Sequence, residues 1–238
     1  MKNVITFIGM SGVGKSYMSQ QLAKWGWYRY SCDENIGADL IGNKDMTEDE
    51  ILDALAKLVG RLGNRDKGGL PLKEFRKRQS SYYHAECRSL LFLDRHIDRA
   101  ASQGFENFIH DSTGSFCEIE DEVVLESVGE ISEVCYIESS PEHAQEVVER
   151  AQKHPKPLFF PPSKFMSWYD GFMAERGLSS DQEIDPDTFS RWVFPKLFEQ
   201  RLPKYKKLAD QYGYTVPSSA LTDVQNTDEF LEVVNQYR

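Results

Sequence analysis

Residues 5–26, ITFIGMSGVGKSYMSQQLAKWG, begin with an apolar β-branched and aromatic run that stops at Gly9. They end with Met18, Leu22 and Trp25 at helical spacing before Gly26. The first pattern suits a buried strand, the second a helix with a glycine stop. Between them, Gly9-Met10-Ser11-Gly12-Val13-Gly14-Lys15-Ser16 fits G-x-x-x-x-G-K-[ST]. Glycines at these positions let successive backbone amides turn inward on phosphate oxygens, and the following helix adds the positive end of its dipole. The motif places Lys15 on the β- and γ-phosphates and the Ser16 hydroxyl on magnesium, with Tyr17 adding a first-turn amide. A plain glycine turn between strand and helix is the alternative, but flanking elements of the type the mechanism requires favour a bound nucleoside triphosphate, ATP with Mg2+.

Outward from this loop, strand-like and helix-like stretches alternate. WYRYS (27–31), ENFIH (106–110), VCYIE (134–138) and YTV (214–216) read as further strands. Thr47 and Glu50 form a capping box before an apolar helical repeat, and Ser140 caps a helix with Pro141 at its first position. Alternation of this kind predicts a three-layer α/β/α sandwich on a parallel sheet of five strands, with ligands beyond the carboxyl ends of the strands. Residues 153–200 break the rhythm with HPKPLFFPP, SKFMSWYDGF and SSDQEIDPD, a pattern expected of a helical lid inserted in a single domain spanning 1–238.

The chain has 238 residues, 40% of them hydrophobic, enough to bury one full core. Its net charge of -10 argues against bulk attraction to nucleic acid or anionic membrane, so an anionic substrate has to meet a local basic cluster. No apolar run reaches the roughly 20 residues that span a bilayer. Cys32, Cys87, Cys117 and Cys135 lack metal-like spacing and read as thiols in a reducing compartment. A cytoplasmic monomer acting on a small molecule is the expectation.

Beyond the loop, Asp33 follows the second strand at the edge where a transferred phosphate would lie, and its carboxylate could orient or deprotonate an acceptor hydroxyl. A role as a helix cap or turn residue is the alternative. Here the chain resembles the shikimate kinases, whose P-loop is followed by a D-x-D element, an F-R-x-x-E helix start, a G-G-G loop, an R-P-L lid segment and a late R-x-P-L-Y run. SCDENIGADL (31–40), EFRKRQ (74–79), RAQKHPKPLF (150–159) and RLPKYKKLAD (201–210) stand in that order. The resemblance implies that Asp33 contacts the acceptor hydroxyl and that Arg76 and Arg201 grip a substrate carboxylate, as the planar guanidinium fork suits. It also implies a lid cation on the ATP phosphates, assigned to Lys156 with Lys153 and Arg150 as alternatives.

Departures from the family pattern point to an altered acceptor pocket. Ser31 replaces the first Asp of D-x-D, Gln79 replaces the Glu of the helix start, and Asp111-Ser112-Thr113-Gly114-Ser115 replaces the glycine loop, retaining only Gly114. Asp111 is the carboxylate expected beside magnesium with Ser16. Its alternative is a turn residue before Ser112. The lid aromatics Phe159, Phe160, Phe165, Trp168, Tyr169 and Phe172 are expected to pack rather than stack on a base. None of the five histidines shows triad or metal spacing. An ATP-dependent small-molecule kinase is the first expectation. A nucleotide or polynucleotide kinase and an ATP-binding module that engages a partner protein are the others.

Overall fold

The computed structural model describes residues 1–42 and 46–238. Strands β1 (Asn3–Ile8), β2 (Tyr28–Ser31), β3 (Asn107–Asp111), β4 (Glu133–Glu138) and β5 (Gly213–Pro217) form one parallel sheet in the order β2-β3-β1-β4-β5. The expected five-stranded α/β/α arrangement is therefore the observed one. Register puts Asp111 opposite both Phe7 of β1 and Ser31 of β2. The glycine loop, the start of the segment after β3 and the residues after β2 consequently leave the sheet at the same carboxyl edge.

Each central strand is apolar on both sides because helices cover both faces. Ile5, Phe7, Cys135 and Ile137 pack with α1 (Lys15–Lys24) and α10 (Thr227–Asn235). Ile8, Phe108, Val134 and Tyr136 pack on the other face, against α2 (Cys32–Ile41), α3 (Glu48–Val59), α4 (Leu72–Leu91), α5 (Leu93–Ser102), α6 (Glu122–Ile131), α7 (Pro141–Lys153) and the inner half of α9 (Pro186–Tyr212). The capping box at Thr47 is formed in full, and Ser140 accepts from the His143 amide at 3.2 Å with Pro141 opening α7.

A third core joins the excursion to the segment around the start of α4. Phe160, Phe165 and Phe172, the last two on α8 (Pro162–Arg176), pack with Phe189 and Val193 of α9, Phe75 of α4 and Leu62 of the loop before it. Trp168 and Tyr169 lie against this cluster, so five of the six aromatics expected to pack do so here, while Phe159 packs in the core on the sheet and also lines a cavity together with Asp33. Helix α9 crosses residue 200, the end of the segment expected to form a lid. It starts at Pro186, inside the excursion, and runs 27 residues with Pro195 and Pro203 in its interior. A proline at 195 cannot donate to the Arg191 carbonyl. That carbonyl instead accepts from Gln152 Nε2 of α7 at 2.7 Å, while Arg191 Nε donates to the Gln152 carbonyl at 2.8 Å. The irregularity in one helix thus becomes its bond to the next.

Candidate active site

Gly9, Gly12 and Gly14 have φ of 143°, 88° and 101°, values that disfavour any side chain. At Gly9 a Cβ would also lie 2.7 Å from the Ile137 carbonyl oxygen, so the loop can sit this close to β4 only as glycine. The first turn of α1 has no side-chain cap among the described residues, which leaves the amides of Lys15, Ser16 and Tyr17 to a ligand. The Tyr17 ring is 64% exposed, so its share in the site is that amide. Lys15 is buried, and its Nζ donates to the carbonyls of Gly9 at 2.8 Å and Met10 at 3.2 Å. Burial lowers its pKa from the ordinary lysine value, opposed by the charges of Asp111 and Asp33.

Asp33 lies in the first turn of α2, and Ser31, not Asp33, caps that helix by accepting from the Glu34 amide at 3.3 Å. The cap alternative for Asp33 is therefore excluded. Its carboxyl opens on a cavity of about 320 Å³ that Met10, Ser11 and Gly12 share. Burial, reinforced by the nearby charge of Asp111, pushes its pKa up to about 6, with Lys15 holding it down. Such a group is ionised at neutral pH yet basic enough to take a proton.

Asp111 is engaged on one oxygen only. Its Oδ2 accepts from Ser19 Oγ and from Arg29 Nη2, each at 2.9 Å, whereas Oδ1 is buried with no partner among the described residues. An orphaned carboxylate oxygen at this edge fits a magnesium ion or one of its waters, and Ser16 at the start of α1 is exposed. Among the described residues no group of three or more His, Cys, Asp or Glu side chains is arranged to hold a metal, so a cation here would keep most of its waters. Arg29 also bonds Glu34 at 2.8 Å and Glu48 at 2.9 Å, tying β2 to the starts of α2 and α3. Ser19 and Arg29 escaped the sequence reading. The only available signal was a charge inside the otherwise aromatic strand WYRYS.

Arg201, Gly114 and Lys156 line the same cavity as Asp33. Gly114 touches the glycine loop, since a Cβ there would be 3.4 Å from the Ser11 amide nitrogen. Arg201 is buried and already occupied on one side. Its Nε bonds Glu118 Oε1 at 3.0 Å, Nη1 the Gly114 carbonyl at 3.1 Å and Nη2 the Phe159 carbonyl at 2.9 Å. Two of the five guanidinium N–H groups remain for an anion. Glu118, wholly buried and also bonded to Lys204, is a third residue the sequence did not flag.

Arg76 does not join this group. It is exposed on α4 and absent from the cavity wall, because the inward stripe of that helix is Phe75, Gln79, Tyr82 and Glu86 and position 76 falls on the outer side. Gln79 takes the inward place, donating to the Leu158 carbonyl at 2.9 Å and accepting from the Phe160 amide at 3.0 Å. Of the three cations considered for the ATP phosphates, Arg150 lines the cavity together with Lys156, and its Nη1 is 3.9 Å from where a Gly12 Cβ would stand; Lys153 lies outside the lining. The histidine nearest the loop is His143, its Nε2 3.1 Å from the Gly12 carbonyl oxygen. His110 is buried against Thr6, and burial lowers its pKa to about 4, so it is neutral.

No protein-family model and no curated protein match the sequence. A solved structure does. The chain is similar to the shikimate kinase of Bacteroides thetaiotaomicron, with 13% identity over 98% of this chain and 94% of that one and a TM-score of 0.48. At that level the functional reading rests on the site's own geometry.

Proposed function

We propose that this protein transfers the γ-phosphate of ATP to a hydroxyl of a small anionic molecule. The observation that carries the reading is the single cavity in which the glycine loop, Asp33, Gly114 and Arg201 meet. The loop amides and Lys15 bind and orient the triphosphate. Asp33, ionised at neutral pH, accepts the proton of the hydroxyl that attacks. Arg201 offers its two uncommitted N–H groups to the acceptor's negative group, and Arg150 or Lys156 neutralises charge on the phosphoryl oxygens from the lid side. Ser16 and Asp111 Oδ1 are the groups that would hold magnesium, which supplies further neutralisation of the phosphate charge. Leu52, Leu55 and Val59 of α3 form an apolar wall opposite, suited to the hydrocarbon face of a small alcohol.

The test is transfer of labelled γ-phosphate from MgATP to a panel of hydroxylated acids, with Asp33→Asn as the control. The variant should keep its affinity for MgADP and lose transfer by roughly 10²- to 10⁴-fold. Undiminished transfer by Asp33→Asn, or no acceptor-dependent transfer by the unaltered protein, would overturn the proposal.

A further inference from the structure

The loop that replaces the family's glycines is backed by a carboxylate the phosphotransfer scheme does not use. Glu86, on α4, is wholly buried. Its Oε1 accepts from the Thr113 hydroxyl and, at 2.9 Å, from the Ser115 hydroxyl, while Oε2 has no partner among the described residues. Thr113 and Ser115 both line the cavity beside Asp33 and Gly114. The Ser115 amide donates to Thr113 Oγ1 at 3.1 Å, which holds the pair in place. A hydroxyl has one hydrogen and two lone pairs. The two hydroxyl oxygens also stand 3.0 Å apart, so each hydrogen is taken up by Glu86 or by the neighbouring hydroxyl, and only lone pairs remain to face a ligand.

We propose that Glu86 is a positioning residue that fixes the direction in which Thr113 and Ser115 donate, so that the pair selects acceptors carrying a second hydroxyl or similar donor beside the reacting one. The inference rests on the phosphotransfer reading and adds the acceptor's hydrogen-bonding pattern to it. One edge of the acceptor meets lone pairs, the other meets the N–H groups of Arg201. A molecule with a single hydroxyl leaves the Thr113 and Ser115 oxygens desolvated and unpaired, which a site built for a donor penalises.

Glu86 is surrounded by Asp33 and Cys32 of α2, Tyr82 and Cys87 of its own helix, and Arg201 of α9. Burial raises its pKa from 4.5 to about 7, against the pull of the two hydroxyls. Protonation on the unpartnered Oε2 removes the charge to which both hydroxyls donate, which weakens their hold and lets them turn toward the cavity. The acceptor KM should therefore rise as pH falls through about 7. The loss of kcat from protonating Asp33 should come lower, near 6.

The experiment measures kcat and KM at saturating MgATP for anionic alcohols in matched pairs, such as D-glycerate with 3-hydroxypropanoate, at pH values on both sides of 7. Glu86→Gln, Ser115→Ala and Thr113→Val are compared with the unaltered protein, each first shown to bind MgADP normally. We expect preference for the diol member in the unaltered protein, and its reduction by roughly tenfold in each variant through KM rather than kcat. Glu86→Gln should also lose the response of KM near pH 7. Should Glu86→Gln fail to fold, the two loop variants carry the comparison. Transfer with the same preference in all folded variants overturns the inference alone. No transfer to any alcohol by the unaltered protein overturns the phosphotransfer reading and this inference with it.

Discussion

Asp33 and Glu86 each hold a carboxyl above its ordinary pKa, from 3.8 to about 6 and from 4.5 to about 7, chiefly because burial disfavours the charged form. The folded protein then binds more protons than the unfolded chain across those intervals, so the contribution of both groups to stability is full below about 4 and declines as pH rises through about 6 and about 7. Asp33→Asn should accordingly raise the unfolding free energy at pH 7 by about 1–3 kcal/mol while cutting transfer by roughly 10²- to 10⁴-fold. A denaturant titration at pH 7 and pH 4.5 checks this, with little gain expected at the lower pH. Lys15→Met should remove triphosphate turnover entirely, read by ATP hydrolysis and transfer together. Both residues were legible in the sequence because motif position and strand end place them. Glu86 was not, since a glutamate in a helical stretch reads as a solvated face until the fold turns it inward.

Between elements, side chains far apart in sequence make the joints. Arg29 holds Asp111, Glu34 and Glu48 at once, so Arg29→Met leaves three carboxylates without their common partner. Removing one member of such a half-buried network is expected to cost about 3–5 kcal/mol, and chemical denaturation would measure it. The joint of α7 with α9 is neutral and smaller. Gln152→Ala strands the Arg191 carbonyl freed by Pro195 and should cost about 1–2 kcal/mol. Helices were readable from sequence for α1, from its apolar spacing and glycine stop, and for α3 and α7, from their caps. For α9 the pattern is obscured by two interior prolines, at one of which, Pro195, Gln152 takes up the freed carbonyl.

Across the whole molecule, the third core fastens the residue 160–193 region to α4 and the loop before it. Gly63 and Leu70 are bonded across that loop at 2.9 Å, the Asn64 amide donates to the Ile184 carbonyl at 2.9 Å, and Arg61 pairs with Asp187. The excursion and α4 are thereby coupled. Phe189→Ala should cost about 3–5 kcal/mol, the range for large core truncations. Hydrogen exchange should show the loss of protection in α8 and the first half of α9 before the sheet opens, because the variant weakens that core and leaves those on the sheet intact.

The amino-acid sequence by itself determined the strand–loop–helix of the phosphate cradle, the alternation that makes a parallel sheet, and Asp33 at a strand end. These are local patterns, written in consecutive residues and their periodicity. Tertiary structure alone decided that Arg76 faces solvent, that Arg201 spends three N–H groups on Glu118 and two carbonyls, and that Arg29 and Glu86 stand behind the site. Each depends on how a helix is rotated against a distant neighbour, a choice set by packing over the whole core and invisible in any short stretch of chain.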